Sequence, residues 1–219
     1  MAPQIYQTRR LEPAASKTRS VLNAGCGPRS IRRVASLFDP ERWTETRIDV
    51  DRSVEPDVIG SITDMNRHFR SGRFDAIWSS HSLEHLHAHE IPLAMKEFHR
   101  VLKPDGFAVV TCPDLEMVMT LFLQHGPDHV VYQSPAGPIT PLDMMFGHAQ
   151  SIAAGNLHMA HRSGFTADRL GDLMVEAGFA EVITKRSGVD LWALALRERA
   201  NRKAAMDQLT AFGVDMSNA

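Results

Sequence analysis

Cysteine is scarce: Cys26 and Cys112 are the only two in 219 residues, and they stand far apart. Two isolated thiols exclude a disulfide framework and suggest no Cys-based zinc site. Long apolar runs are missing too. Nothing approaches the roughly 18 consecutive apolar residues of a spanning helix, and the opening MAPQIYQTRR has no apolar signal-peptide core. The expectation is a cytoplasmic protein with no membrane partner. Excess charge is also lacking: a net charge of −2 gives no electrostatic reason to expect nucleic acid. There is no internal repeat and no low-complexity tract. What remains is an ordinary globular composition, 43% apolar and 23% charged, in a length that suits one domain with a real core.

Residues 1–19 are polar and dotted with Arg and Pro, which reads as a loosely held arm. A single domain is expected over 20–199, then a tail at 200–219 that either forms a peripheral helix or frays. Within the domain, SVLNAG (20–25), ETRIDVD (45–51), RFDAIWSS (73–80) and FAVVTC (107–112) read as strands. PRSIRRVASLF (28–38) and IPLAMKEFHRVL (91–102) read as helices, the second with Pro92 in its first turn and a stripe at Ile91, Met95, Phe98 and Leu102. Alternating strands and helices imply an α/β fold of three layers, a doubly wound, mostly parallel sheet covered on both faces. Thr166 can cap a helix over 167–177, and EVITKR with VDLWALAL flanks a turn at Ser187-Gly188, so the sheet ends on an antiparallel strand. One joint is short. Only Arg52 to Glu55 separate the second strand from a candidate third at 56–62, whereas a parallel crossover needs about a dozen residues. Either 56–62 is a short edge segment or the crossover helix is missing.

VLNAGCGPRS is strand, glycine turn and helix start, and glycines without Cβ let a ligand sit against the turn beside Cys26. Asp49 ends the next strand 24 residues after Gly25, near the spacing at which a carboxylate grips a ribose diol. Ser30 stands where a dinucleotide fingerprint wants its third glycine, which disfavours NAD.

In that order, VLNAGCG, RIDVD, FDAIWSSHSLEHL and FHRVLKPDGFAVVTCPD resemble the class I S-adenosylmethionine-dependent methyltransferases, and within them the type 11 group. The resemblance covers residues 20–114 and fits the helix and hairpin at 166–197. It implies S-adenosylmethionine as cofactor, with Gly25 and Gly27 lining its methionine part. It also implies Asp49 on the ribose, Val50 beside the adenine, Ser61 and Ile62 bordering the adenine, and Ser80 near the sulfonium. Asn23 replaces the usual acid, keeping an acceptor for the cofactor's amine without the charge, and Ser61 replaces a common aspartate. Those departures leave open a catalytically inert, methyltransferase-like binding or scaffold protein.

HSLEHLHAHE (81–90) follows the fourth strand, at the end where open α/β sheets bind ligands. His81, Glu84 and His85 on one helical face would suit a zinc hydrolase, but that needs a further ligand, and no metal is expected. The run reads instead as the lip of a cofactor and substrate pocket, with His81 as first candidate general base, since histidine titrates near neutral pH.

Residues 126–164 hold five glycines, four prolines, four histidines and three methionines, long for a plain loop. Thr140-Pro141-Leu142-Asp143 reads as a capping box opening a short helix. This insert is expected either to cover the substrate or to form a homodimer contact. His85, His158, Arg162 and Met145 are the candidate substrate contacts, and His161 is the second candidate base. The expected function is methyl transfer to a small-molecule acceptor.

Overall fold

The computed structural model describes residues 18–29 and 33–217. Most of the expected arm, and the start of the first helix with Ile31 and Ser30, therefore lie outside the described residues. Among those described, no helix is long and apolar enough to cross a membrane.

Seven strands form one sheet: β1 (Arg19–Ala24), β2 (Trp43–Asp49), β3 (Val58–Ile59), β4 (Phe74–Ser80), β5 (Leu102–Pro113), β8 (Glu181–Ser187) and β9 (Asp190–Leu196). The two numbers between belong to a separate hairpin, β6 (Tyr132–Ser134) and β7 (Gly137–Ile139). The order is β3-β2-β1-β4-β5-β9-β8, with β9 antiparallel to both neighbours. The strand order reverses between the parallel neighbours β1 and β4, and at such a switch point a cleft opens at the strands' carboxyl ends.

Burial on both sides explains the near-continuous apolar runs of the inner strands. One face packs Leu22, Ile77, Val110 and Ala193 against α2 (Ile91–Val101) and α6 (Ala167–Glu176). The other packs Val21, Trp78, Val109 and Leu194 against α1 (Arg33–Leu37) and α7 (Arg202–Ala211). The three layers are as expected. In α2 the buried stripe is Ile91, Ala94, Met95, Phe98 and Val101, and Leu102 opens β5 instead of closing the helix. Pro104, Asp105 and Gly106 fall inside β5 as a bulge: Phe74 pairs with Leu102 but Ala76 pairs with Phe107. Thr166 caps α6 by accepting from the Arg169 amide.

The short joint proves to be an edge segment without a crossover helix. A single 3₁₀ turn (Arg52–Val54), capped by Asp51, leads to a two-residue β3 paired with Ile48 and Asp49. Two helices lie outside the sequence expectation, α5 (Ala149–Ala153) in the insert and α3 (Leu115–His125), which is capped by Asp114. Helix α3 leads into the insert, which contains the β6–β7 hairpin, α4 (Pro141–Phe146) and α5. The expected capping box is present: Thr140 Oγ1 accepts from the Asp143 amide, and the Asp143 carboxylate accepts from the Thr140 amide.

Candidate active site

The turn after β1 forms the floor of the cleft. The amides of Gly25 and Cys26 both donate to the Ile48 carbonyl, at 3.0 and 3.2 Å, which stitches the turn to β2. Gly25 and Gly27 have φ of +70° and +57°, the left-handed region that Cβ-bearing residues avoid. Space separates their roles. A Cβ on Gly25 would lie 2.4 Å from Ser82 Cβ, whereas one on Gly27 would meet nothing within 4 Å. The first glycine permits close packing, and the second leaves an open face.

Asp49 ends β2 directly opposite. Its Oδ2 accepts from the Gly27 amide at 2.9 Å and its Oδ1 from the Asp51 amide at 3.0 Å. Each carboxylate oxygen therefore keeps acceptor capacity for a ligand. Beneath it, buried Arg47 donates to the carbonyls of Gly27 (2.5 Å), Glu55 (2.6 Å) and Val54 (3.2 Å). One guanidinium thus braces the glycine turn and the 52–55 turn together. Cys26 is buried beside it. Burial, reinforced by the charges of Asp49 and Glu45 and opposed by Arg47, pushes its thiol up to about 12.

The far wall rises from β4. His81 has φ of +50°, an unusual value for a non-glycine residue, with its amide tied to the Thr111 carbonyl at 2.9 Å. Its Nδ1 faces Glu84 Oε1 at 3.3 Å and its Nε2 faces Asp190 Oδ1 at 3.6 Å. Burial works against the charge. Hydrogen bonding and attraction from Asp190 and Glu84 outweigh it and raise the imidazole to about 10. Residues 83–85 form one 3₁₀ turn in which Glu84 is buried. Burial opposes ionisation of Glu84, but His81, with His85 and His161 behind it, holds its carboxyl below the usual range. The insert docks here: the amides of Arg162 and Ser163 donate to the Glu84 carbonyl, and His85 Nδ1 contacts the Ala160 carbonyl at 3.1 Å.

These walls enclose a cavity of about 600 Å³, inside the range of small-molecule sites. Of the residues singled out in the sequence, Gly25, Gly27, Asp49, Val50, Ser61 and Ile62 line one end. His81, His85, His158 and Arg162 line the cavity as well, so the insert does reach the cleft.

Five of the residues singled out in the sequence do not line the cavity. Asn23 is buried in β1, its amide donating to Glu45 Oε1 at 2.8 Å, and it does not line the cavity. Cys26 is packed under the turn. Ser80 is held by the Thr111 hydroxyl at 2.9 Å, and Ser82 lines the cavity in its place. Met145 joins the small cluster of Val118, Ile139 and Met144. His161 stands behind His85, with ring centroids 4.9 Å apart, rather than in the cleft. Its Nδ1 contacts the Met144 carbonyl at 2.9 Å, and burial lowers its pKa. The geometry gives the base role of His81 no support, because both ring nitrogens face carboxylates. Nor does a hydrolase-type helical face exist at 81–85, where the backbone makes only a single tight turn.

Other lining residues carried little signal in the sequence. Asp51, Ser53 and Val54 arrive through the tight turn that replaces a crossover helix; Asn156 and Met159 arrive from the insert. Asp190 sits at a hairpin, remote in sequence from its partner His81.

Comparison with known proteins follows from this geometry. The family described as a methyltransferase domain matches residues 6–184. No curated protein matches the sequence. Among solved structures, the chain is similar to a 1,6-didemethyltoxoflavin-N1-methyltransferase from Burkholderia thailandensis, solved with 1,6-didemethyltoxoflavin and S-adenosylhomocysteine. That match has 17% identity and a TM-score of 0.52, covering 82% of this chain and 71% of the other. A SAM-dependent methyltransferase from Archaeoglobus fulgidus matches at 12% identity and a TM-score of 0.55, covering 83% and 87%. A protein from Pyrococcus horikoshii matches at 14% identity and a TM-score of 0.54, covering 84% of each chain. At such identities the likeness is one of fold.

Proposed function

The chain belongs to the methyltransferase-domain family and is an S-adenosylmethionine-dependent methyltransferase, and from that premise we propose that its acceptor is a small molecule with an acidic nucleophile. The single observation behind this reading is one continuous cavity, with the glycine turn and Asp49 on one wall and His81, His85 and Arg162 on another.

The cofactor fits the residues present. The missing Cβ of Gly27 leaves open space on the face of the turn, and Asp49 retains acceptor capacity there for ribose hydroxyls. Gly25 and Gly27 would hold the methionine portion, with Ser61, Ile62 and half-exposed Val50 against the adenine. When bound, S-adenosylmethionine supplies a methyl group on a positively charged sulfur. The chain's own part is then to orient the acceptor, keep water out and settle one proton. Positioning alone removes much of such a barrier. The charge of His81 is taken up by Glu84 and Asp190 on its two ring nitrogens, so Arg162 is the cation on this wall that can hold an acidic acceptor. A guanidinium lowers the pKa of a nearby hydroxyl or similar acid, so an acidic acceptor beside Arg162 can arrive deprotonated and needs no histidine base. Asn156, His158 and Met159 of the insert add to the enclosure, which favours a small acceptor over a polymer.

The test uses cofactor labelled in its methyl group, the full-length protein, and a panel of phenols, carboxylic acids and acidic heterocycles alongside cell extract. Label recovered in the small-molecule fraction supports the reading. Label recovered in acid-precipitated protein or nucleic acid refutes the acceptor class.

A further inference from the structure

Behind the cavity wall, three side chains converge that methyl transfer does not use together. Among the described residues, Glu84, His85 and His161 each present a ligand atom within 4.8 Å of the other two. Glu84 is 1% exposed; its Oε1 has only the loose 3.3 Å approach of His81 Nδ1, and its Oε2 has no hydrogen-bond partner. His81 offsets part of the cost of burying this carboxylate, and the second oxygen is left bare on the side of the insert. The imidazoles are turned the same way. His85 Nδ1 contacts the Ala160 carbonyl and His161 Nδ1 the Met144 carbonyl, at 3.1 and 2.9 Å. A carbonyl can only accept, so each Nδ1 carries a proton, and in the neutral ring each Nε2 then presents a lone pair. With both rings neutral, three acceptor atoms meet here, an arrangement that a cation satisfies. Beside them lies a cavity of about 20 Å³ bordered by Glu84, Met144 and His161, room for a single water or ion.

We propose that Glu84, His85 and His161 bind one divalent first-row transition-metal ion, seated between the 83–85 turn and the insert, behind the wall of the cleft. Two imidazoles and a carboxylate form a borderline N₂O set, suited to Zn²⁺, Co²⁺, Fe²⁺ or Mn²⁺ and poorly suited to Ca²⁺ or Mg²⁺, which take oxygen ligands. Metal–ligand bonds near 2.1 Å require ligand atoms about 3–3.5 Å apart, so the side chains close by roughly 1 Å through rotation. Backbone carbonyls on the far ring nitrogens supply the outer support that metal-bound histidines commonly have. The ion would join the 83–85 turn to residue 161 and fasten the insert over the cleft. The His81–Glu84–His85 set expected of a hydrolase is thereby replaced by one whose third member is His161.

The proposal stands apart from the cofactor reading. Full-length protein is stripped with chelator and titrated with Co²⁺, read by its visible ligand-field absorption, and with Zn²⁺, read by calorimetry. The background carries asparagine at His87, His89, His125 and His129, because those exposed rings stack in pairs that could take up metal adventitiously. One equivalent bound in that background, weakened about a hundredfold or more by His161→Asn, is the expected result. His85→Asn serves as the second variant should the first fail to fold, as judged by circular dichroism. Absence of stoichiometric binding, unchanged affinity in the folded variant, or binding lost with the four surface histidines overturns the proposal. S-adenosylhomocysteine titrated into the same samples reports separately on the cofactor site.

Discussion

Gly25 and Gly27 share a turn and a backbone conformation, yet their substitution by alanine should fail for different reasons. Both variants force a Cβ-bearing residue into the left-handed region, at about 1–2 kcal/mol. Gly27→Ala adds only that, because its new methyl meets nothing within 4 Å. Gly25→Ala also drives its Cβ to 2.4 Å from Ser82 Cβ, an overlap that adds about 1–3 kcal/mol. At roughly 2–4 °C per kcal/mol for a domain of this size, Gly27→Ala should lower Tm by about 2–8 °C and Gly25→Ala by clearly more. The obstructing atom is the Cβ, so Ser82→Ala gives no relief while Ser82→Gly does. A double-mutant cycle on Gly25→Ala and Ser82→Gly, followed by urea unfolding, should show a favourable coupling near the size of the steric part. The cycle also cancels the hydroxyl contacts Ser82 makes with Ser79 and the Ala24 carbonyl. Calorimetry with S-adenosylhomocysteine completes the test. Gly27→Ala puts its methyl on the open face and should weaken binding at least tenfold in a protein that is still folded. No coupling in the cycle would refute the packing argument, and unchanged affinity in Gly27→Ala would refute the placement of the ligand.

Three further outcomes follow from the same walls. Asp49→Ala removes the ribose acceptor and the brace on the Gly27 amide, so S-adenosylhomocysteine should bind roughly ten- to a hundredfold more weakly, from about 1.5–3 kcal/mol of charged hydrogen bonding; undiminished affinity in calorimetry would exclude the ribose role. His81→Asn keeps a residue tolerant of φ +50° while deleting the cation, so kcat should fall about tenfold or more with the cofactor Kd little changed, and equal turnover would remove His81 from the reaction. Cys26 holds its proton to about 12, while an unfolded thiol ionises near 9.0, so the unfolded state binds fewer protons across that interval and stability should decline as pH rises from 9 towards 12. In the folded protein at pH 8, Cys26 should react with iodoacetamide at least a hundredfold more slowly than after unfolding; rapid native labelling would contradict its burial.

Signals that were local in the chain were legible. The turn after β1, the carboxylate 24 positions later and the histidine run closing β4 each sit within a few residues of the strand end that positions them. The Thr140 capping box and the Thr166 cap were equally readable, because a cap is satisfied by its own neighbours. What escaped depends on contacts across the fold. Arg47 looks like an outward residue of an alternating strand, and only the missing crossover helix lets it turn inward to three carbonyls. Asp190 reaches His81 because β9 inserts beside β5, which no spacing reveals. His161 lies 76 positions from His85, and only the folding back of the insert makes them neighbours. Helix α3 was missed because apolar residues cover most of its circumference, which hides its period.

Arg47 has an implication for redesign. Where a helix would normally buttress the sheet between its second and third strands, the Arg47 side chain holds the loops from below, much as a keystone holds an arch. The outer residues 52 and 53 are then free to vary in size or polarity, since the support grips only main-chain oxygens. Recasting this lip to admit cofactors with altered bases is a reasonable engineering route, provided the keystone itself is left alone.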